Sequence, residues 1–267
     1  LSVHESAKVH ATAIVAEGAV IPAGCVVGPY CTVGADVVLG EGCELVSHVV
    51  LDGRTTLGAG CKVYSFACVG ISPQDLKYAG EPTGVEIGER TTIRESVTIS
   101  RGTAGGGGVT RVGSDCLVMA YVHIGHDSQI GNGCILPNGA TLAGHVTVED
   151  YVTLSAMASV HQFCRIGKYS YIGGGTTITQ DVLPYSLTSI ERNNHAYGLN
   201  KVGLQRRGFT AEQMRELATA MRALTSGKKN TTQALEEIHE MLASGEGGEH
   251  VEYLVKFVEA SERGVIK

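Results

Sequence analysis

From Val3 onward an aliphatic residue returns at every sixth position: Val3, Val9, Val15, Ile21, Val27, Val33, Leu39, Leu45, Leu51, Leu57, Val63 and Val69. The phase resumes at Ile87, Ile93 and Ile99. After a shift it runs through Val112, Val118, Ile124, Ile130, Leu136, Leu142, Val148, Leu154, Val160, Ile166, Ile172 and Ile178. A period of six matches neither the 3.6-residue repeat of a helix nor the two-residue alternation of a strand. It fits a short strand and a turn, repeated as one flat side of a coil. Three sides make an 18-residue triangular coil, and stacked coils make a parallel β-helix. With a spacing of about 4.8 Å, nine or ten coils give a prism about 45 Å long.

Glycine often follows the aliphatic residue, as at Gly28, Gly34, Gly40, Gly125 and Gly131, which predicts corners where a side chain or a negative φ is awkward. Cys25, Cys31, Cys43, Cys61, Cys116, Cys134 and Cys164 each lie two residues before a repeat aliphatic, a slot shared with Ala140 and Ala158. That periodicity predicts buried free thiols in an inward slot for small side chains, rather than disulfides; Cys68 falls outside it. The composition then makes sense: 36 glycines, no Trp and 5% aromatic residues suit a thin prism and not a layered core. A net charge of −6 argues against a broad nucleic-acid surface. The absence of an 18-residue apolar run and of a basic-apolar leader leads us to expect a cytoplasmic protein without a transmembrane segment. The flat sides suggest self-association, most simply as a closed trimer.

The repeat breaks twice, at about 71–86 and 100–111, and function on repeat scaffolds tends to sit at such breaks. Asp75 and Glu81 stand at aliphatic phases in the first, which marks an excursion that leaves the shaft and returns in register. The second carries Gly105 to Gly108, but it lacks the helix start and GK[ST] ending of a phosphate loop. It is expected to be a flexible loop. After Pro184 the pattern stops. Thr210 as N-cap with Gln213 three residues on begins a helix whose stripe is Leu217, Met221 and Leu224. Two further stripes follow, at Leu235, Ile238 and Leu242 and at Val251, Leu254 and Val258. The expected division is a β-helix over residues 1–190 and a C-terminal helical domain over 191–267.

Candidate chemistry concentrates in YVHIGHD at 121–127, with His145 and His161 further along. An 18-residue coil places His145 about one coil above His126, displaced by one residue, so these histidines can line one groove. A neutral imidazole can take a proton from an alcohol at neutral pH, and a carboxylate can fix its tautomer. Side chains at adjacent strand positions such as His126 and Asp127 diverge, however, unless a corner or another chain reunites them. No nucleophile motif is present, which favours direct attack by a bound substrate over a covalent intermediate. Three histidines can also bind zinc and activate water. The spacing of His123, His126 and His161 does not match the metal triad of carbonic-anhydrase-like β-helices, so no metal is expected.

The hexapeptide shaft, QDLKYAGEPT at 74–83, RESVTISRGT at 94–103, HIGHD at 123–127, NGATLAGHV at 138–146, VHQF at 160–163 and LQRRGF at 204–209 together resemble the UDP-N-acetylglucosamine acyltransferases of lipid A biosynthesis. The resemblance covers nearly the whole chain. It implies a mainly β fold, a left-handed parallel β-helix of hexapeptide repeats with a C-terminal α-helical domain, assembled as a cytoplasmic homotrimer with active sites between subunits. It further implies transfer of an (R)-3-hydroxyacyl group from acyl carrier protein to the 3-position of a UDP-amino sugar. No cofactor is implied beyond the phosphopantetheine arm of the carrier.

By the same resemblance His126 is the general base, Asp127 its orienting carboxylate, and the Gly144 amide an oxyanion donor. His123, His145, His161 and Gln162 match sugar- or phosphate-side positions, Asp75 and Lys77 a substrate-contacting loop, and Asn200, Arg206 and Arg207 nucleotide-side positions. Gly174 matches the position that sets acyl length, with Ala156 and Tyr171 as neighbours that shape the end of the groove. Lys77, Arg165, Lys168, Arg206 and Arg207 also form a basic set suited to an acidic carrier. Two residues depart from the family pattern: Ser100 stands where relatives carry His, and Val202 replaces an acidic nucleotide-side residue. These departures leave both a 3-hydroxyl and a 3-amino acceptor open. The nearest alternative is a sister enzyme that N-acylates a UDP-glucosamine derivative and normally has a further N-terminal domain not found in these residues. A zinc hydratase and a noncatalytic scaffold are more distant readings.

Overall fold

The computed structural model describes residues 2–191 and 193–266. Within them, short strands run from Ser2–Val3 to Thr177–Ile178, and every third strand lies in the same parallel sheet. Three faces result. The first begins with Ser2–Val3 and Val20–Ile21, the second with Lys8–Val9 and Val26–Val27, and the third with Ile14–Val15 and Thr32–Val33. The six-residue phase is thus one face of a triangular, left-handed β-helix, and the aliphatic residue of each strand points into the prism. From Ile21 to Ile178 these residues are buried, whereas Val3 and Val9 on the first coil remain 40% and 37% exposed because no coil lies beneath them.

The expected glycine logic is half right. Gly28 and Gly125 do not need a positive φ. They are glycines because a Cβ on Gly28 would overlap the Val46 carbonyl oxygen of the next coil, and one on Gly125 would come within 2.6 Å of the Ala143 carbonyl carbon. The left-handed corners lie elsewhere in the repeat, and many hold large residues: Tyr30, His48 and Phe66 have φ of 58°, 53° and 65°. Stacking offsets the steric cost, since these three rings form a ladder with centroids 4.9 and 5.0 Å apart.

All eight cysteines are free, and the seven in the periodic slot are buried. They act as more than small apolar fillers. The thiols of Cys25, Cys43, Cys61, Cys116 and Cys134 donate to the carbonyls of Gly40, Gly58, Gly88, Gly131 and Glu149 at 3.0–3.2 Å. Thr91, in the same column, does so through its hydroxyl to Gly113 O at 2.7 Å. At these six positions a small donor thus satisfies a corner carbonyl, whereas Val152 in the same column has none to offer and the Ser170 hydroxyl has no partner among the described residues.

The chain returns in register after each excursion, with Cys68 paired to Thr98 and Thr98 to His123. Both breaks are shorter than the sequence suggests, because Gly84–Ile87 and Val109–Val112 are already strands of the first face. Both also leave the shaft at one corner, between the third and first faces. The second is not a plain loop: Ala104–Gly106 forms a 3-10 turn.

Beyond the shaft, an antiparallel hairpin of Ser186–Glu191 and Asn193–Leu199 extends the second face, with Leu187 parallel to Tyr171. Four helices follow: α1 (Lys201–Arg206), α2 (Ala211–Thr225), α3 (Thr231–Ala243) and α4 (Glu249–Glu259). Thr210 and Gln213 form the expected capping box on α2, and Asn230 and Gln233 repeat it on α3. Leu217, Met221, Leu224, Ile238, Val251, Leu254 and Val258 make the helical core. Arg165 and Lys168, both half-buried, tie this end to the shaft. Arg165 lies over the Phe257 ring and reaches Ala260 O at 3.3 Å, and the Lys168 ammonium sits 3.4 Å above the Tyr253 ring. Among the described residues no helix is long and apolar enough to cross a membrane.

Candidate active site

The strand His123–Ile124 belongs to the third face and Gln129–Ile130 to the first, so His126 and Asp127 occupy the corner between them, where both excursions also emerge. Asp127 has φ 60°, and this left-handed bend reunites two side chains that a continuous strand would send apart. His126 Nδ1 lies 2.8 Å from Asp127 Oδ2. The carboxylate is fully buried, and His126 is 17% exposed. Thr103 of the second excursion donates its N–H to both carboxylate oxygens, at 2.9 and 3.1 Å, and its hydroxyl to Oδ2 at 2.7 Å. Burial pushes the Asp127 carboxyl up, but the bonds from Thr103 and His126 outweigh it and hold the group below its ordinary value.

An ionised Asp127 accepts the Nδ1 proton and leaves His126 Nε2 as the acceptor. That nitrogen faces Gly144: a Cβ on Gly144 would lie 2.6 Å from Nε2 and 2.7 Å from Cε1. The Gly144 N–H has no partner among the described residues. One coil on from Asp127, His145 turns the same corner with φ 60° and places its ring edge-on to His126 at 5.0 Å. Its other side stacks on Phe163, with centroids 4.6 Å apart. His123 hydrogen-bonds Thr98 Oγ1 at 2.8 Å. Burial, followed by the neighbouring His126, pulls its pKa down, so His123 is neutral at neutral pH. His161 follows the next strand of this face, Ser159–Val160, and Gln162 lies one coil beyond Gly144.

Lys77 and Asp75 sit on the first excursion, folded together by the Lys77 N–H to Asp75 Oδ1 bond at 3.0 Å. Glu81 joins the two excursions, accepting from Ala79 N at 2.8 Å and Ala104 N at 3.3 Å. Ser100 is buried one coil below Gly125, and its hydroxyl has no partner among the described residues. His126, Asp127 and His145 have ligand atoms within 4.8 Å of one another. However, His126 Nδ1 and both Asp127 oxygens are committed to each other and to Thr103, which disfavours these residues as a metal centre.

The remaining candidates lie away from this corner. Asn200, Val202 and Arg206 line a cavity of about 460 Å³ on the second face, together with Ile135, Thr153 and Tyr171. Asn200 caps α1 through Gly203 N and donates to Tyr169 O at 3.0 Å. Arg207 stacks over Tyr151 and donates to Gly133 O at 3.3 Å, at the corner between first and second faces. Ala156 and Gly174 abut at the corner between second and third faces, where a Cβ on Gly174 would be 3.3 Å from Ala156 O. In a triangular prism the corner that carries His126 lies opposite the second face. Within one chain, therefore, the base and the nucleotide-side residues do not line one pocket.

Sequence reasoning missed Thr103, Thr98 and Glu81. Thr103 and Thr98 carry no periodic mark, because they act from an irregular segment or across coils, and Glu81 stands out only as a polar residue at an aliphatic phase, with nothing to name its partner Ala104.

The region 181–266 matches the family model described as "Udp N-acetylglucosamine O-acyltransferase; Domain 2". Residues 18–53 and 110–144 match the bacterial transferase hexapeptide (six repeats) model. The chain is 43% identical over 217 residues to an acyl-[acyl-carrier-protein]–UDP-N-acetylglucosamine O-acyltransferase of Anaeromyxobacter sp. strain Fw109-5, covering 81% of this chain and 83% of the relative. Among solved structures it resembles the UDP-N-acetylglucosamine acyltransferase of Campylobacter jejuni, with a TM-score of 0.90, 34% identity and coverage of 97% and 99% of the two chains. The Francisella novicida acyltransferase gives a TM-score of 0.87 at 38% identity, covering 99% and 93%.

Proposed function

The chain belongs to the UDP-N-acetylglucosamine O-acyltransferase family, and from that premise we propose how its residues divide the work of acyl transfer. The protein transfers an acyl group from acyl carrier protein to UDP-N-acetylglucosamine, the first step of lipid A biosynthesis. His126 Nε2 takes the proton of the sugar 3-hydroxyl as its oxygen attacks the thioester carbonyl of an (R)-3-hydroxyacyl donor. The Gly144 N–H receives the oxyanion of the tetrahedral adduct. Collapse breaks the C–S bond, and the imidazolium returns its proton to the departing phosphopantetheine thiol. Asp127 keeps the imidazole in the reactive tautomer and stabilises its charged form. No metal or cofactor takes part. The observation that carries this reading is the buried, ionised Asp127 bound to His126 Nδ1, with the free nitrogen beside Gly144, whose N–H has no partner among the described residues.

The substrate is shared between copies. His123, His145, His161 and Gln162 hold the sugar and phosphate beside His126, with Asp75 and Lys77 on the overhanging excursion. Asn200, Arg206 and Arg207 of a neighbouring copy meet the nucleotide, and Ala156, Gly174 and Tyr171 limit the acyl chain. The support is the prism geometry: residues on opposite sides of one copy converge when copies pack side by side, and a closed trimer repeats that contact with no unpaired edge. The shaft to about residue 190 supplies the base, and the cap beyond it supplies the nucleotide contacts. A carrier-bound donor and a nucleotide sugar both suit a cytoplasmic enzyme.

The test offers the purified protein UDP-N-acetylglucosamine and its 3-amino analogue, each with 3-hydroxyacyl carrier proteins of several lengths, before and after chelator treatment. Ester formation that survives the chelator is expected. No product from any pair removes the proposal, exclusive amide formation moves it to the 3-amino acceptor, and chelator-sensitive turnover restores the zinc reading.

A further inference from the structure

We propose that the second excursion is a carboxylate cradle, in which Thr103 and Gly106 are positioning residues that keep Asp127 charged and aimed at His126. The proposal rests on the reading of His126 as the general base. A carboxylate withdrawn from water stays ionised only when donors replace its lost hydration. Besides His126 Nδ1, the donors to Asp127 are the N–H and hydroxyl of Thr103. One glycine of the run, Gly106, has the same purpose. A Cβ on Gly106 would overlap the Asp127 carboxylate, and one on Gly102 would come within 2.8 Å of Oδ1. Neither glycine needs a positive φ; Gly107 and Gly108, at 97° and 83°, supply the bend that brings the chain back to Val109. The loop therefore does surround an anion, but the anion belongs to the chain itself.

The cradle has two chemical consequences. First, the Thr103 hydroxyl and His126 Nδ1 converge on Oδ2. The carboxylate cannot rotate without losing one of them, so the proton-bearing nitrogen of His126 is fixed. Second, the Ala104 N–H is held by Glu81, which ties the cradle to the excursion that bears Asp75 and Lys77. Movement of that excursion is thereby linked to the orientation of the dyad.

The groups that face His126 are Asp127, the His145 ring and His123. Without the Thr103 hydroxyl, Asp127 presents a less neutralised carboxylate to this set. The carboxylate then keeps only His126 Nδ1 and the Thr103 N–H as donors and can turn away from Nδ1, which lowers kcat without touching the sugar contacts. The experiment compares Thr103→Val, Thr103→Ala, Thr103→Ser, Gly106→Ala and His126→Ala in the intact protein, with kcat, KM for UDP-N-acetylglucosamine and melting temperature for each. Thr103→Val is expected to lower kcat about tenfold, as for loss of a hydrogen bond to a charged group, with little change in KM. Thr103→Ser should restore kcat within a few-fold. Gly106→Ala, whose Cβ would displace the Asp127 carboxylate, should lower kcat at least as far, and Thr103→Ala, which only removes side-chain atoms, carries the test if Thr103→Val does not fold. Should His126→Ala be inactive while Thr103→Val and Gly106→Ala keep the wild-type kcat, the cradle is wrong and the base stands. Wild-type turnover in His126→Ala would instead remove the base reading itself.

Discussion

Asp127→Asn isolates the charge of the dyad with almost no change in shape. Oδ2 accepts from His126 Nδ1 and from the Thr103 hydroxyl, while Oδ1 accepts from the Thr103 N–H. An amide can satisfy only one side. If its oxygen takes the Oδ2 position, its NH₂ faces the Thr103 N–H, donor against donor. If its NH₂ takes that position, His126 Nδ1 must become an acceptor, and the proton moves to Nε2, where the base is needed. The second arrangement is cheaper, so the variant folds with the wrong tautomer. We expect kcat to fall about 10²–10⁴-fold, the range for loss of general base assistance, while KM changes much less. Loss of charge-assisted bonds should cost about 1–3 kcal/mol of stability. The pH dependence has a defined sign. Because the folded pKa of Asp127 lies below its ordinary 3.8, its stabilisation is fully present above that value and is lost as pH falls through the folded pKa. The melting difference between wild type and variant should accordingly be largest above about pH 4 and shrink with further acidification. A steady-state assay of thiol release, with thermal melts from pH 3 to 7, reads both. An Asp127→Asn enzyme with wild-type kcat would refute the tautomer argument.

Gly144→Ala places a methyl 2.6 Å from His126 Nε2, so turnover should fall at least tenfold with the melting temperature nearly unchanged; wild-type turnover would mean that the acceptor does not approach over Gly144. Gly28→Ala drives a Cβ into the Val46 carbonyl, far from the active corner. It should destabilise the shaft by about 1–3 kcal/mol, read as a lower denaturation midpoint, whereas no shift would contradict the packing of successive coils. Of the eight thiols only Cys68 is not buried. Native protein should therefore label first at Cys68, slowly because burial also raises its thiol pKa, and early labelling of Cys43 or Cys134 by peptide mapping would argue against the inward column.

The shaft was legible because its repeat is enforced by packing. Each coil must bury one aliphatic residue per face, so polar residues are excluded at Ile21, Leu45 or Ile124 wherever the local turn leads. The capping boxes of α2 and α3 were legible for a local reason, as the partners lie three residues apart. The hairpin at 186–199 and the six residues of α1 were not. They lack an aliphatic period and are held by the second face and by Asn200. His126 and Asp127 stood out in sequence, but their contact depends on a left-handed corner at Asp127, a conformation in which Asp is enriched but still uncommon, so the residue type alone does not place it. Thr103 was hidden because its partner is 24 residues away, across a coil and an excursion. Arg165 and Lys168 look like any surface cations in sequence, and only the position of α4 shows that they pack on its Phe257 and Tyr253 rings.

The account stands most directly on a site completed by two copies, with the base from one and the nucleotide contacts from the next. Co-expression of differently tagged His126→Ala and Arg206→Ala/Arg207→Ala chains, followed by isolation of mixed assemblies, measures this through kcat/KM at low UDP-N-acetylglucosamine. Each variant alone should be nearly inactive. In every mixed closed trimer one of the three sites, about one third, pairs an intact base with intact arginines from the neighbour, and the mixed assemblies should regain activity in that proportion. Mixed assemblies no more active than the separate variants would contradict the shared site.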